Sequence, residues 1–136
     1  MPLVRITVVE GTSQETRRAL ADGVHAALVE TAGVPKDDRF QVVEEAAPTD
    51  LIWDPAYLGI HRTGAVFVQV FLNAGRTVEV KSALYARIAE AAEEAGVPRA
   101  NVLVNLVEVA RENWSFGDGK MSYPPATPTS PAAARP

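Results

Sequence analysis

The chain of 136 residues contains no cysteine and only two histidines, His25 and His61. Without cysteine it can form neither a disulfide nor a catalytic thiolate. A zinc or iron site is also unfavourable with so few soft or imidazole ligands. His25 falls in a helical pattern, where we expect a structural role, and His61 falls in the polar stretch GIHRTG, where we expect a solvated loop. The sequence therefore predicts no metal and no cofactor.

Basic clusters and long apolar runs are missing as well. The net charge is −4, and no basic stripe with interleaved aromatic residues occurs, which argues against nucleic acid as a partner. No apolar run approaches the ~20 residues of a membrane-spanning helix, and nothing resembles a signal peptide. Nucleotide-binding glycine motifs and a G-x-S-x-G nucleophile motif are absent too. We expect a cytoplasmic protein, without a membrane partner, that acts on a small molecule or on another protein.

The remaining composition is that of one globular domain. Hydrophobic residues make up 47% of the chain and charged residues 22%, which is ordinary for a soluble domain. The final stretch PPATPTSPAAARP, residues 124–136, has almost no large apolar side chains and cannot offset the entropy of ordering it. We therefore predict a folded domain over residues 1–123 and a disordered Pro/Ala-rich tail over residues 124–136.

Two segments of the domain resemble each other. GTSQETRRALADGVHAALVETAGVPKDDRF begins at Gly11, and GRTVEVKSALYARIAEAAEEAGVPRANV begins at Gly75. The tetrapeptide AGVP occurs at 32–35 and again at 95–98, which match once the second segment is shifted by one residue. Several matches in the same order indicate a duplicated unit. The two units are expected at about residues 2–47 and 64–110.

Each unit is predicted to be β-α-β. Apolar, β-branched runs predict strands, and each helix follows its first strand with apolar residues at helical spacing. The predicted strands are 3–9, 40–44, 65–72 and 102–108. Thr12 and Glu15 form a T-x-x-E pattern that predicts a capping box for the first helix, and both helices should end at a glycine with proline two residues later.

The expected architecture is an α+β two-layer sandwich. A four-stranded mixed sheet, formed from the duplicated β-α-β units, carries both helices on one face. The other face is left apolar and uncovered, and burying it against further copies of the chain is the simplest remedy. We therefore expect an oligomer.

Pro2 directly follows the initiator methionine at the start of the first strand. Proline lacks a backbone N–H and is tolerated at a strand's first residue, so a purely structural role is available. The alternative is chemical, because removal of Met1 would leave Pro2 with a secondary amine that can act as a base or a nucleophile. The residues alone leave both interpretations open.

Three further groups could carry chemistry. Asp37 and Asp38 precede the second strand, where an acid could orient water or transfer a proton, although solvated turn charges are common there. Arg76 in a sharp loop, and less strongly Arg62, are suited to bidentate binding of a carboxylate, although either could be a surface residue. The aromatic side chains of NWSFG, residues 113–117, could cover the core or line a small pocket.

Taken together, these features resemble the tautomerase superfamily, which has the fold of 4-oxalocrotonate tautomerase and macrophage migration inhibitory factor. The resemblance is carried by Pro2, the duplicated units, and the stretches GVPKDDRFQ, NAGRTVEVKSALY and NWSFGDG. It covers residues 2–120 and is strongest toward the long-chain branch that includes malonate semialdehyde decarboxylase. The resemblance implies a homotrimer, a cofactor-independent enzyme and a processed N-terminal proline in the active site.

The resemblance also implies roles for individual residues. Pro2 matches the catalytic proline, Asp38 matches the acidic residue of the decarboxylase, and Arg76 matches the second of its two substrate-binding arginines. The first of those arginines falls at Ala74, so this chain departs from the decarboxylase pattern there. The aromatic residues that line the family's pocket are matched by Trp114 and Phe116.

Three functions remain open at this stage. A neutral Pro2 amine would serve as general base for keto–enol tautomerisation of a small 2-oxo acid, with Arg76 binding its carboxylate. A cationic Pro2 would favour a malonate semialdehyde decarboxylase or hydratase, with Asp38 handling water and Arg62 or Arg39 replacing the missing arginine. If Met1 is retained, a non-catalytic trimeric binding module is expected. The missing arginine favours the tautomerase.

Overall fold

The computed structural model describes residues 1–124, so nearly all of the predicted disordered tail, 124–136, lies outside the described residues. The main elements follow the order β1 (Leu3–Val9), α1 (Gln14–Ala32), β2 (Phe40–Ala46), β3 (Val66–Asn73), α2 (Val78–Glu94) and β4 (Val102–Val109). Within the described residues, neither helix is long and apolar enough to cross a membrane. The predicted strands agree with these bounds to within two residues.

The sheet has the order β2-β1-β3-β4. Strand β1 is parallel to β2, β3 is parallel to β4, and the two central strands β1 and β3 are antiparallel. Leu3 lies opposite Phe40 in the first parallel pair, and Phe67 lies opposite Leu103 in the second. The predicted four-stranded mixed sheet is confirmed, and an approximate two-fold axis between β1 and β3 relates the two β-α-β units.

The core lies between the sheet and the two helices. Alternate side chains of β1 face the helices, and Val4, Ile6 and Val8 are completely buried. The helices pack closely on each other at Gly23, where an added Cβ would come within 2.7 Å of the Cβ of Ala91. Such a contact is shorter than real methyl groups allow, so the packing of α1 on α2 requires glycine at this position.

The ends of α1 correct one detail of the sequence interpretation. Ser13 is the N-cap, and its side chain accepts a 3.1 Å hydrogen bond from the backbone N–H of Thr16. The capping box predicted at Thr12 is therefore wrong, because the Thr12 hydroxyl instead donates to the carbonyl of Val9 at 2.7 Å and closes the turn before the helix. The predicted glycine stop is confirmed by Gly33, whose φ of 69° lies in the left-handed region that favours glycine.

The sheet face opposite the helices is uncovered in a single chain, as expected. Large apolar side chains on it remain exposed, among them Leu3, Phe40, Val42 and Leu103. A polar row crosses its centre, made by the Arg5–Glu44 ion pair and the hydrogen bond from Gln69 to Asn105. The face therefore combines apolar area with fixed polar groups, which suits a specific interface better than non-specific association.

Candidate active site

Chain topology brings most of the candidate site residues to one edge of the sheet. Strands β1 and β2 begin at this edge, which places Pro2 and Asp38 there. Strands β3 and β4 run antiparallel to β1 and end at the same edge, which brings Arg76 and Trp114 to it. Pro2 and Trp114 are more than 100 positions apart in the sequence, yet they lie at the same edge because β1 begins there and β4 ends there.

The N-terminus lies directly against Asp38. The ammonium of Met1 donates to Oδ2 of Asp38 in a short ion pair, and Pro2 is fully buried behind it. Burial, and then the positive charge of Arg76, lower the pKa of this ammonium from 8.0 to about 6. The Asp38 carboxylate acts in the opposite direction, because an adjacent negative charge favours the ammonium form.

Arg76 is held in place by backbone carbonyl groups. Its Nε donates to the carbonyl of Ala32 at 3.0 Å, and its Nη1 donates to the carbonyl of Asn73 at 3.2 Å. Partial burial lowers the pKa of the guanidinium, which nonetheless stays charged. Within residues 1–124 no acidic side chain pairs with Arg76, and Nη2 makes no hydrogen bond. The guanidinium thus presents a fixed positive charge and an available donor to the site.

Aromatic side chains form one wall of the site. The rings of Trp114 and Phe116 are stacked, with centroids 5.2 Å apart and an interplanar angle of 13°. Phe116 also packs against Phe40 at 5.3 Å and edge-on against Tyr123 at 5.9 Å. Both aromatic residues predicted from NWSFG are therefore at this edge, joined by two that the sequence analysis did not single out.

Asn73 is a structural residue of the site that the sequence analysis missed. It is buried, and its Oδ1 accepts a 2.6 Å hydrogen bond from Nε1 of Trp114. Its backbone carbonyl accepts the bond from Arg76. One residue thus orients both the aromatic wall and the guanidinium. The sequence did carry one signal for Asn73, since it is a polar residue at the end of the apolar run VFVQVFLN.

We expect Asn73→Ala to lower the free energy of unfolding by about 1–3 kcal/mol, because the indole N–H of Trp114 would lose its partner in a partly buried position. Urea unfolding followed by circular dichroism measures the change. The matched control is Thr49→Ala, which removes an exposed side-chain contact with Asp50 and should change stability by less than about 0.5 kcal/mol. Equal effects of the two substitutions would contradict the proposed anchoring role.

An open cavity of about 430 Å³ adjoins Asp38. Its lining residues are Pro35, Asp37, Asp38, Phe40, Phe116, Ser122 and Tyr123. The lining combines acidic groups with aromatic rings, which suits a small polar molecule with a short apolar portion. A larger cavity of about 450 Å³ lies elsewhere, beside α1 and β2, and its arginines Arg17, Arg18 and Arg39 are already paired with acids.

Arg62 is not brought to this edge. It precedes β3 and therefore lies at the opposite edge of the sheet, where its Nη1 donates to the carbonyls of Asp54, Tyr57 and Ile60. Within one chain it is thus remote from Pro2, so the predicted grouping of Arg62 with the other site residues is not observed. Arg39 is likewise held by Asp22 and Gln41.

The two histidines lie outside the site. Nε2 of His25 is 2.8 Å from the carbonyl oxygen of Lys36, so His25 fastens α1 to the following loop, and His61 is exposed. The described part of the chain holds no group of three or more histidine, cysteine or acidic side chains that could bind a metal ion.

Comparisons with known proteins agree with this geometry. Two models described as tautomerase enzymes match residues 38–117 and 2–59. The probable tautomerase YusQ of Bacillus subtilis (strain 168) is 35% identical over 122 residues, covering 88% of this chain and 96% of that protein. Among solved structures, FG41 malonate semialdehyde decarboxylase inhibited by 3-bromopropiolate has a TM-score of 0.85 and 42% identity, covering 89% of this chain and 93% of that one.

A fused 4-OT symmetric trimer has a TM-score of 0.74 and 26% identity, covering 88% of this chain and 94% of that one. The architecture, the family models and the curated relative all lead to the same assignment that the resemblance implied. This chain belongs to the tautomerase family of enzymes.

Proposed function

We propose that this chain, after removal of Met1, uses the secondary amine of Pro2 as a general base for keto–enol tautomerisation of a small 2-oxo acid. The observation that carries the proposal is the position of the N-terminus, which lies against Asp38 and within the electrostatic reach of Arg76. Cleavage of Met1 transfers the terminal amine to Pro2 and opens the space beside Asp38 that Met1 occupies.

The lowered pKa of the terminal amine supports the role of a base. Pro2 is the next residue and is itself buried, so we expect burial and the Arg76 charge to disfavour the charged form of its amine as they do for Met1. The neutral amine takes a proton from the carbon beside the carbonyl, and the electron pair of that C–H bond moves into the enolate. The Pro2 ammonium then gives that proton to the enolate oxygen, which forms the enol and restores the neutral amine, and the reverse sequence returns the ketone.

Arg76 is proposed to bind the substrate carboxylate. Two of its nitrogens are fixed on Ala32 and Asn73, and Nη2 remains available for an anion. The same positive charge stabilises the enolate that develops next to the carboxylate. Trp114 and Phe116 provide the wall against which the planar enol packs.

Decarboxylation or hydration remains the second candidate, favoured by the acid that touches the N-terminus. Asp38 could activate water beside a cationic Pro2, and the decarboxylase of 42% identity has the same fold. Against it, position 74 is alanine, and within one chain neither Arg62 nor Arg39 reaches the site to replace the missing arginine. Tautomerisation by a neutral amine needs fewer catalytic groups than decarboxylation or hydration does.

The assembly is proposed to be a homotrimer. The chain has an uncovered sheet face with exposed apolar side chains, and the fused 4-OT protein with 26% identity is a symmetric trimer. Burying this face would remove Leu3, Val42 and Leu103 from water.

The amine pKa separates the two candidate reactions. In protein labelled with ¹⁵N-proline and lacking Met1, we expect the Pro2 nitrogen to titrate well below a free prolyl amine, near neutral pH. Because the base must be deprotonated, kcat/KM for a 2-oxo acid should rise as pH rises through that pKa and be lost below it. Arg76→Leu should raise the pKa by removing a nearby positive charge. A pKa close to that of a free prolyl amine would contradict the proposed tautomerase and favour a decarboxylase or hydratase.

A further inference from the structure

The loop that carries Asp38 is attached to α1 on both sides of that residue. On the N-terminal side, Nε2 of His25 lies 2.8 Å from the carbonyl oxygen of Lys36. A carbonyl oxygen can only accept a hydrogen bond, so Nε2 carries a proton and donates it. The backbone N–H of Asp38 then donates to the carbonyl of Pro35 at 3.0 Å and closes a turn. Asp38 therefore lies in a closed turn, two residues beyond a point that is bonded to the helix.

The attachment on the C-terminal side runs through Arg39 and Gln41. Nη2 of Arg39 donates to Oδ1 of Asp22 at 2.6 Å, and Nε of Arg39 donates to Oε1 of Gln41 at 2.8 Å. Nε2 of Gln41 donates in turn to the carbonyl of Ala21 on α1 at 2.8 Å. These bonds join the start of β2 to the same helix. We call the four side chains that hold the loop the α1 clamp: Asp22, His25, Arg39 and Gln41.

The second β-α-β unit does not repeat the clamp. Its helix aligns with α1 through the buried positions, at a constant offset of 64 residues: Leu20 with Leu84, Val24 with Ile88, and Leu28 with Ala92. The loop after the helix aligns at an offset of 63, since the two AGVP segments differ by that number. The counterparts of the four clamp residues are therefore Ala86, Ala89, Val102 and Val104. The counterpart of Asp38 is Asn101, so the unit that lacks the clamp also lacks the acid.

We propose that the α1 clamp positions Asp38: its four side chains hold the loop on α1, so that the Asp38 carboxylate stays beside the terminal amine. The ion pair between Asp38 and the N-terminus supports this role, because it joins groups from two different elements and needs both to be fixed. The clamp residues are positioning residues, since they act through Asp38. The positioning does not depend on the reaction, whereas its effect on catalysis rests on the proposed role of Pro2 as a base.

The distance between Asp38 and the amine matters because the attraction between opposite charges falls as they separate. The charged groups around the amine are Asp38, which contacts it, Arg76 from the loop after β3, and Asp37, which lines the adjoining cavity. Arg76 is bonded to backbone carbonyls outside the clamp. Loosening the clamp therefore moves the acids and leaves the arginine in place. The ammonium form then loses stabilisation, so the pKa of the amine falls.

The first test is the ¹⁵N titration of Pro2 in processed full-length protein carrying His25→Ala. We expect the pKa of the Pro2 amine to fall by about 0.5, because the released carboxylate lies farther from the ammonium on average. His25→Gln offers a side-chain N–H to the same carbonyl of Lys36 and should restore the wild-type pKa. The matched control is His61→Ala, which removes an exposed histidine at the opposite edge and should leave the pKa unchanged. An unchanged or raised pKa in His25→Ala, or a fall that His25→Gln does not reverse, would refute the proposal.

A double-mutant cycle separates action through Asp38 from a general structural effect. His25→Ala made in an Asp38→Asn chain should change the pKa of the Pro2 amine by less than about 0.1, since the charge on which the clamp acts is gone. Equal falls with and without the Asp38 carboxylate would contradict the proposal. If His25→Ala does not fold, Asp22→Asn at an exposed position releases Arg39 instead, and an unchanged pKa in that folded variant would also contradict it.

The pH dependence of kcat/KM for a 2-oxo acid distinguishes this proposal from the proposed function. With Pro2 as the base, the acid limb of the profile of His25→Ala should move to lower pH by the same amount as the pKa of the Pro2 amine in the titration. If the pKa falls and the acid limb does not move, the clamp positions Asp38 but Pro2 is not the base. If neither moves, the clamp does not position Asp38, and the proposed function is left to its own test.

Discussion

A chain extended at its N-terminus, so that the nitrogen of Pro2 is an amide, is expected to lose tautomerase activity by about 10²–10⁴-fold, the range typical of removing a general base. An amide nitrogen has no basic lone pair. Asp38 lies against the N-terminus, but a carboxylate is a far weaker base than a neutral amine and does not replace it. The measurement compares kcat/KM for a small 2-oxo acid in extended and processed chains, with mass spectrometry confirming the N-terminus.

Two controls separate loss of the amine from steric blockage. The same extension at the C-terminus should leave activity unchanged, because that chain keeps the terminal amine of Pro2 once Met1 is removed. Pro2→Ala, processed by removal of Met1, keeps a terminal amine and should retain more activity than the extended chain. If the extended chain were as active as the processed one, the catalytic role of the amine would be refuted and a binding module would remain.

The second large effect is expected for Arg76→Ala, which should raise KM for carboxylate substrates by about 10²-fold with a smaller change in kcat. Charge-assisted hydrogen bonds to a carboxylate contribute about 1.5–3 kcal/mol each, and the loss of one or two gives a change of this order. Steady-state kinetics with a 2-oxo acid measure it. An unchanged KM would exclude the role of Arg76 in binding the carboxylate.

Arg76 also has a structural role that the experiment must separate from binding. Its bonds to Ala32 and Asn73 join the end of α1 to the end of β3, so Arg76→Ala should also lower Tm. Arg76→Lys keeps the charge but loses the forked geometry, and we expect its KM to lie between those of the wild type and Arg76→Ala. Thr12 is the counterpart of Arg76 in the first unit, and Thr12→Ala should change KM little, since Thr12 contacts only the Val9 carbonyl.

The strands and helices of this protein follow from local sequence signals. The β-branched run at 3–9 and the apolar spacing of the two helices give elements within a residue or two of those observed. The helix start was placed one residue early because Thr12 and Ser13 are both suitable caps, and the choice depends on which hydroxyl the turn after Val9 uses. Neighbouring hydroxyl residues carry the same local signal, so sequence could not decide between them.

The candidate site was less predictable than the fold. Pro2, Asp38, Arg76, Trp114 and Phe116 were recognised by resemblance, and the structure brings them to one edge of the sheet. Arg62 was grouped with them because a loop arginine carries no sign of which sheet edge it occupies. Asn73 was missed because its importance lies in two contacts, to Trp114 and to Arg76, that exist only once β3 and β4 are paired.

By itself, the sequence determined the elements, the duplication and the residue types available for chemistry, because periodicity, caps and repeats are local properties of the chain. The tertiary structure alone decided which of those residues meet. The antiparallel pairing of β1 with β3 divides the chemistry between two edges, with the terminal amine at one and the Asn101 amide at the other. Burial beside Arg76 then lowers the amine pKa, an effect of distance and desolvation that no sequence pattern encodes.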